Sequence, residues 1–110
     1  MNTSYFAKSS NNFYAVSIAG KTPDWFSGKR YKKLAPHIGF FKKYKEDGDE
    51  AFYRIQYQKE VLDELDPREV YEELGEHAVL LCYEKPGKFC HRHLVSEWLS
   101  KNLGVTITEL

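Results

Sequence analysis

The chain has 110 residues, with sixteen basic and sixteen acidic side chains, 42% hydrophobic residues and 15% aromatic residues. This composition is typical of a packed globular protein and excludes an intrinsically disordered chain. No apolar run approaches the roughly 20 residues that a membrane-spanning helix needs, so we expect no membrane partner. The length favours a single domain over residues 1–110, because most domains contain roughly 50–250 residues.

The cysteine content and the first residues predict the cellular compartment. Met1–Ser4 has neither the charged region nor the apolar region of a signal peptide. The sequence contains two cysteines and no export signal, which favours a reducing compartment. We therefore expect a cytoplasmic protein with two free thiols.

Charge is distributed unevenly along the chain. Residues 1–45 contain nine Lys or Arg and one Asp, whereas residues 46–76 contain three basic and twelve acidic residues. This asymmetry favours a molecule with one basic and one acidic face. The simpler alternative is that amphipathic helices expose charged surfaces to solvent.

Two segments near the start of the chain have the composition of β-strands. Thr3–Ala7 is largely apolar, and Tyr14–Ala19 alternates and is partly β-branched. Lys8–Asn12 between them is a turn by composition. Because a parallel connection usually takes a dozen or more residues, this spacing leaves open an antiparallel pair and a short parallel crossover.

A loop and a basic segment follow the second strand. Gly20–Gly28 contains two glycines and a proline, and Lys29–Pro36 is basic with an aromatic residue inside it. Loops after the carboxyl ends of strands form the ligand sites of α/β proteins, so Lys21, Lys29 and Arg30 are candidates for an anion site. The alternative is that the aromatic residues of this loop pack over the edge of the core.

The middle of the chain predicts three helices, which are His37–Lys45, Asp49–Leu65 and Asp66–Leu74. Asp66 can cap the third helix, and Pro67 suits its first position. These helices carry most of the acidic residues. We interpret them as mainly structural.

The last third predicts a strand, a helix and a second strand. His77–Tyr83 is the most continuous apolar run and predicts a central strand. Cys90–Asn102 predicts a helix with one apolar face, formed by Leu94, Val95, Trp98 and Leu99. Val105–Thr108 alternates and predicts an edge strand. The element order favours a small α/β three-layer sandwich, with a mostly parallel, about four-stranded, Rossmann-like sheet.

Basic side chains surround the predicted start of the last helix. Lys85, Lys88, His91 and Arg92 lie in the preceding loop or the first turn, and Glu84 is the one acid there. A helix N-terminus carries roughly half a positive charge, so basic residues there oppose helix stability unless an anion binds. We therefore predict an anion site in which Arg92 makes a bidentate contact. The alternative pairs Glu84 with Arg92 and leaves the lysines in solvent.

The two cysteines admit several roles, namely nucleophile, metal ligand, redox partner or core residue. A thiol at a helix N-terminus with basic neighbours is activated as a thiolate, which describes Cys90 better than Cys82. The spacing from Cys82 to Arg92 is longer than in the phosphate-binding loop of tyrosine phosphatases, so that chemistry is not predicted. Cys90 and His91 remain candidate catalytic residues.

A zinc site is the remaining possibility for these side chains. Cys82, Cys90, His91 and His93 are residue types that bind zinc. His91 and His93 differ by about 200° around a helix, so both do not easily reach one metal ion. We therefore predict no metal site, and the sequence defines no cofactor.

Four stretches of the chain resemble a known family, namely TSYF, VSIAGKTPDWFSGKRYKKLAP, LDPREVYEELG and LLCYEKPGKFCHRHLVSEWL. They cover most of the sequence and are similar to one branch of the domain of unknown function 488 (DUF488) family. The resemblance implies a small, mostly parallel α/β protein, and therefore favours parallel first and second strands. It implies no particular reaction. The matching motif positions are Cys82, Glu84, Cys90, His91 and Arg92.

The chain departs from the family pattern at one place. Many members have Asp-Val-Arg followed shortly by a proline after the second strand. Ser17–Pro23 keeps the proline but contains neither the acid nor the arginine. Chemistry that needs those two groups is therefore not expected here.

Three functions are compatible with the sequence. The first is an anion-binding α/β module that recognises a nucleotide or nucleic acid at the Cys-His-Arg helix start, with Arg92, His91, Cys82, Glu84, Lys85, Lys88 and Lys21 as candidate ligand-binding residues. The second is a small hydrolase or transferase, in which Cys90 or His91 acts on a phosphorylated or nucleoside-type substrate. The third is an interaction protein that uses its acidic helices. The sequence does not determine the oligomeric state.

Overall fold

The computed structural model describes all 110 residues and contains five short strands in one sheet. The strands are β1 (Asn2–Tyr5), β2 (Ala15–Ser17), β3 (Lys29–Arg30), β4 (Val79–Cys82) and β5 (Thr108–Glu109). Their spatial order is β3-β2-β4-β1-β5, and each neighbouring pair is parallel. The predicted α/β class and parallel sheet are confirmed, with one strand more than expected.

The middle strand of the sheet is β4, which pairs with β1 on one side and β2 on the other. All four of its residues are buried, and Leu80 and Leu81 have no exposed surface. A strand covered on both faces needs apolar side chains throughout, which is the pattern of this segment. The prediction of an interior strand ending at Cys82 is therefore confirmed.

Five helices surround the sheet, namely α1 (Phe6–Ser9), α2 (Ile38–Asp47), α3 (Glu50–Glu60), α4 (Pro67–Leu74) and α5 (His91–Leu103). The Asp49 and Asp66 side chains cap α3 and α4 by accepting hydrogen bonds from backbone N–H groups. Gly48 and Gly104 end α2 and α5 in left-handed conformations that favour glycine. None of the helices combines the length and the apolar character that crossing a membrane requires.

The two faces of the sheet carry different cores. Leu80 faces the larger core, which α2 to α5 complete through residues such as Phe40, Tyr57 and Leu99. Leu81 faces a smaller core that contains Phe6 of α1 together with Ala15, Ala19, Phe26 and Val79. Helices therefore cover both faces, which is the three-layer arrangement expected from the element order.

The short connection between the first two strands is a helix followed by a turn. The turn predicted at Lys8–Asn12 is confirmed for Ser10 and Asn11, whereas Lys8 and Ser9 belong to α1, which begins directly after β1 and gives a compact parallel crossover to β2. The Ser4 and Ser9 hydroxyls share a buried hydrogen bond of 2.6 Å that holds this helix against the strand. The resemblance-based expectation of parallel strands is therefore correct.

The edge strands differ from the sequence prediction. β3 lies at the start of the basic segment Lys29–Pro36, for which no strand was predicted, and both of its residues are exposed, so no apolar alternation indicates it. The last strand is Thr108–Glu109 rather than Val105–Thr108. Its position depends on backbone pairing with β1, including the Leu110 N–H that donates to the Thr3 carbonyl oxygen. Long-range pairing of this kind leaves no local sequence pattern.

The predicted apolar face of the last helix is only partly correct. Leu94, Val95 and Leu99 are buried in the larger core, whereas Trp98 is half-buried. Trp98 lines a groove between α3 and α5 that is also lined by Arg54 and Lys101. Trp98 is therefore not the core residue that helical spacing predicts.

Candidate functional site

A pocket of about 720 Å³ opens at the carboxyl edge of the sheet, where β2 and β4 end side by side. The chain leaving β2 runs outward to β3, whereas the chain leaving β4 runs through α5 to β5 on the opposite side. Crevices between neighbouring strands whose connections diverge are the usual ligand sites of open α/β sheets. The topology therefore places this pocket where a ligand site is expected.

The mouth of the pocket is basic. Its charged lining consists of Lys21, Lys32, Lys33 and Lys45 with one carboxylate, Glu84. The exposed imidazole of His37 also lines the mouth, and its Nδ1 lies 3.0 Å from a Glu60 carboxylate oxygen. Lys33 pairs with Glu73 at 3.1 Å, and the Lys45 Nζ lies 3.7 Å from a Glu84 carboxylate oxygen. Lys21 and Lys32 have no carboxylate partner. Two of the four lysines are therefore unpaired at the mouth.

Aromatic side chains form one wall of the pocket. The ring of Phe89 lies 4.9 Å from that of Tyr53 and 5.4 Å from that of Tyr44, measured between centroids. Phe41 adds a half-buried ring from the same face of α2. Edge-to-face and tilted contacts at these distances hold the rings against one another and stabilise the wall.

Two helices direct their N-termini toward the pocket. His37 and Ile38 at the start of α2, and Cys90 and His91 at the start of α5, belong to its lining. Neither helix has a side-chain cap or an acidic residue in its first turn. Backbone N–H groups at uncapped helix starts are hydrogen-bond donors for anions, and the helix dipole favours negative charge there.

The floor of the pocket contains a disulfide between Cys82 and Cys90. Cys82 ends β4 and Cys90 precedes α5, and the connecting loop brings their Cα atoms to 7.1 Å. Both residues are buried. The expectation of two free thiols is therefore wrong for this structure, because the loop returns the chain to the end of the strand it left.

His91 lies beside this disulfide and is fixed by a backbone contact. Its Nε2 lies 2.7 Å from the Ile18 carbonyl oxygen, an acceptor, so the hydrogen of the neutral ring belongs on Nε2. Its Nδ1 then carries a lone pair, 3.8 Å from the Cys90 sulfur. Burial lowers the pKa of His91 to about 4, so the ring is neutral near pH 7. A neutral imidazole in this tautomer can accept a hydrogen bond or bind a metal ion through Nδ1.

Arg92 has no exposed surface, and protein groups occupy its guanidinium. Nε and Nη2 donate to the Glu109 carboxylate at 3.1 and 2.9 Å. Nη1 donates to the Glu84 carbonyl oxygen at 2.7 Å and contacts the Cys82 sulfur at 3.1 Å. Burial alone would raise the pKa of Glu109, but hydrogen bonds from Arg92 and Thr3 outweigh it and lower that pKa.

Protein groups therefore occupy the positions at which Arg92 was predicted to contact an anion. Its donors are used by Glu109, Cys82 and the backbone, and Arg92 does not line the pocket. The alternative pairing of Glu84 with Arg92 is correct only for the backbone carbonyl. Arg92 instead holds the floor of the pocket in place.

The other predicted site residues divide into two groups. Lys21, Cys82, Glu84, Cys90 and His91 meet at the pocket. Lys85 and Lys88 do not line it and are exposed in the loop before α5. Two basic residues after the second strand also lie outside the pocket lining. The Lys29 side chain donates to the Glu73 carbonyl oxygen, and the Arg30 side chain donates to the Phe26 carbonyl oxygen.

Sequence reasoning missed the contribution of the segment from residue 32 to residue 53. Lys32, Lys33, Ile38, Phe41, Tyr44, Lys45 and Tyr53 all line the pocket. A signal for them exists, because two lysines precede a helix whose first turn contains no acid. The start of α2 therefore shares with the start of α5 the pattern of nearby basic residues and no acid in the first turn.

Replacing Glu109 by Gln tests the role of the buried ion pair. Glu109→Gln should lower the free energy of unfolding by roughly 3 kcal/mol, because it leaves the Arg92 charge buried without a counter-ion. Glu97→Gln, an exposed change on α5, should cost less than about 0.5 kcal/mol. Urea denaturation of both variants measures the difference, and equal stabilities would contradict this role.

Acid should weaken the fold through His91. The unfolded chain binds a proton near pH 6.5 that the folded protein does not bind until about pH 4. The contribution of His91 to the free energy of unfolding should therefore be fully present above about pH 6.5 and decrease as the pH is lowered. At pH 4 the loss should be on the order of 3 kcal/mol relative to neutral pH. In His91→Gln, whose amide still donates to Ile18, urea denaturation between these pH values should show a smaller loss. Parallel curves for the two proteins would contradict the assignment.

Comparison with known proteins gives one match. Residues 15–103 match the family model DUF488-N3a, described as the active DUF488-N3 subclade. The matched range begins with β2, ends with α5 and contains every residue that lines the pocket. No curated protein and no solved structure matched the chain. The family match covers well over half of the sequence and confirms the resemblance of its motifs, and the chain therefore belongs to the DUF488 family.

Proposed function

We propose that the pocket binds a small phosphorylated ligand that carries an aromatic ring, and that this ligand is a nucleotide. One observation carries the proposal. Unpaired lysines, two uncapped helix starts and an aromatic wall converge at the carboxyl edge of β2 and β4. The first two features suit a phosphate and the third suits a base.

The phosphate would lie at the basic mouth. Lys21 and Lys32 are exposed and free of carboxylate partners, so they can approach an anion without breaking an ion pair. Lysine is a compact cation that binds phosphate oxygens as a point charge. The N–H groups of Ile38 and Gly39 at the start of α2 supply directional donors beside them. Arg92 contributes indirectly, by fixing the floor.

The base would lie against the aromatic wall. The half-buried rings of Tyr44 and Phe89 contact each other and pack on the buried ring of Tyr53, so a planar ligand meets an ordered surface. Stacking of a nucleobase on an aromatic side chain contributes roughly 1–3 kcal/mol. This wall favours an aromatic ligand over inorganic phosphate alone.

The shape of the pocket favours a small molecule over a nucleic acid. Its volume of about 720 Å³ lies within the range of roughly 300–1,000 Å³ that is typical of small-molecule sites. A single-stranded nucleic acid is bound along an extended basic groove with successive stacking residues. Here the lysines and rings surround one concavity.

A ligand panel tests this proposal. AMP should raise the melting temperature more than adenosine or inorganic phosphate does, because only AMP occupies both halves of the pocket. At a ligand concentration a hundredfold above Kd the stabilisation is about 2.7 kcal/mol. Added salt should weaken binding by screening the lysines. Calorimetric titration measures the affinities at low and high salt.

Matched lysine variants give the control. The double variant Lys21→Ala/Lys32→Ala should weaken AMP binding at least roughly tenfold, the loss expected for charge-assisted hydrogen bonds. Lys42→Ala removes an exposed lysine of α2 that does not line the pocket, and should bind like the wild type. Absence of stabilisation by any nucleotide, or preferential binding of a short single-stranded DNA, would contradict the proposal.

A second candidate, hydrolysis or transfer on the same ligand, is favoured by the position of Cys90 and His91. In the reduced protein the Cys90 thiol would give its proton to His91 Nδ1, and the sulfur would bond to the substrate as the bond to the leaving group breaks. The proton on His91 would pass to the leaving group, and water or an acceptor hydroxyl would then take the bound group from the sulfur and restore the thiol. The low pKa of His91 makes it a weak base, so binding remains the first proposal. Release of phosphate or base by reduced wild type, and its loss in Cys90→Ser, would support catalysis.

A further inference from the structure

Three side chains at the floor of the pocket converge in a way that nucleotide binding does not require. We propose that, when the disulfide is reduced, Cys82, Cys90 and His91 bind one thiophilic divalent cation, of which Zn²⁺ is the fitting ion. Their ligand atoms all lie within 4.8 Å of one another, and all three residues are buried. His91 and His93 do not easily reach one metal ion, but this site needs only His91.

The distances fit a tetrahedral ion with little movement. With Zn–S bonds of about 2.3 Å and Zn–N bonds of about 2.0 Å, a sulfur and a nitrogen ligand lie roughly 3.6 Å apart. The Cys90 sulfur and His91 Nδ1 are already 3.8 Å apart. Once the disulfide is reduced, separation of the two sulfurs is the main adjustment that the ion requires.

The surroundings of the three ligands also suit a metal ion. A metal-binding histidine usually donates its other ring N–H to a carbonyl or carboxylate, as His91 Nε2 does to Ile18. On the opposite side, Arg92 Nη1 contacts the Cys82 sulfur and favours its thiolate form after reduction. Two of the three ligands, His91 and Cys82, therefore have a neighbouring group that orients them.

The chemistry of the ligand set selects the ion and its role. Thiolate and imidazole together favour zinc over magnesium or calcium, which prefer oxygen ligands. Three protein ligands leave a fourth position, and Cys82, Cys90 and His91 all line the pocket, so that position would face the bound ligand. A closed four-ligand structural site would not have this access.

Metal binding requires prior reduction of the disulfide. Two molecules of a thiol reductant convert the Cys82–Cys90 bond into two thiols and are themselves joined as a disulfide. Zn²⁺ then displaces the two thiol protons to solvent as both sulfurs bind. The oxidised protein therefore lacks the site, and oxidation state controls whether the metal binds.

Cobalt substitution tests the inference directly. Wild-type protein, reduced under anaerobic conditions and cleared of metal with a chelator, should bind one equivalent of Co²⁺. It should show a thiolate-to-cobalt charge-transfer band and the strong visible bands of tetrahedral cobalt, and Zn²⁺ should abolish both. Cys90→Ser and His91→Ala should each bind at least roughly tenfold more weakly. Reduced wild type that gives no thiolate–cobalt band would overturn the proposal.

His93→Ala supplies the matched control, because His93 is on the same helix but outside the group of three. It should bind Co²⁺ like the wild type, and an equal loss in His93→Ala and His91→Ala would overturn the assignment. Circular dichroism of each variant establishes whether it is folded. If Cys90→Ser or His91→Ala does not fold, Cys82→Ser replaces it in the same test.

Zn²⁺ should also slow alkylation of both cysteines by iodoacetamide, and unprotected cysteines would contradict metal binding. AMP titration of the same samples separates failure of the metal site from failure of the nucleotide site.

Discussion

The candidate site depends on the buried guanidinium of Arg92. It binds the Glu109 carboxylate of β5, the carbonyl oxygen of Glu84 and the sulfur of Cys82. One side chain thereby connects the start of α5, the end of β4 and the edge strand. A buried charge is costly unless it is paired and hydrogen-bonded, so these contacts must form together. These contacts fix the end of β4 and the start of α5, and the floor of the pocket lies between the two.

The parallel sheet determines which groups meet in the pocket. Parallel neighbours deliver their carboxyl ends to one edge, so the segments after β2 and β4 lie side by side although about 60 residues separate them in sequence. The long excursion between these strands contains α2 to α4 and brings lysines and aromatic rings to the same edge. The basic first half of the chain thus supplies the pocket mouth, and the Cys-His segment supplies its floor.

Local sequence patterns predicted the structural features that depend on neighbouring residues, such as a buried strand or a helix start. The apolar run ending at Cys82 identified the central strand, and Asp66 with Pro67 identified the start of α4. The meeting of Lys21, Glu84 and His91 followed from the rule that sites form at strand ends.

Features that depend on distant partners were not predictable in this way. Arg92 was expected to bind an anion because it lies among basic residues in the first turn of a helix. Its partner, Glu109, is 17 residues away on a strand with no strong pattern, so the sequence did not indicate their pairing. The Cys82–Cys90 bond depends on how the loop between them folds back. The pocket wall depends on rings of α2 and α3 that are indistinguishable in sequence from ordinary core residues.

The central claim is that a nucleotide occupies the pocket between β2, β4 and the starts of α2 and α5. Titration of ¹⁵N-labelled protein with AMP, followed by amide chemical shifts, tests it most directly. The account predicts saturable shifts that concentrate at Lys21, Gly39 and His91 and leave the groove beside Trp98 unchanged. Shifts that concentrate at that groove, or none at millimolar AMP, would contradict it.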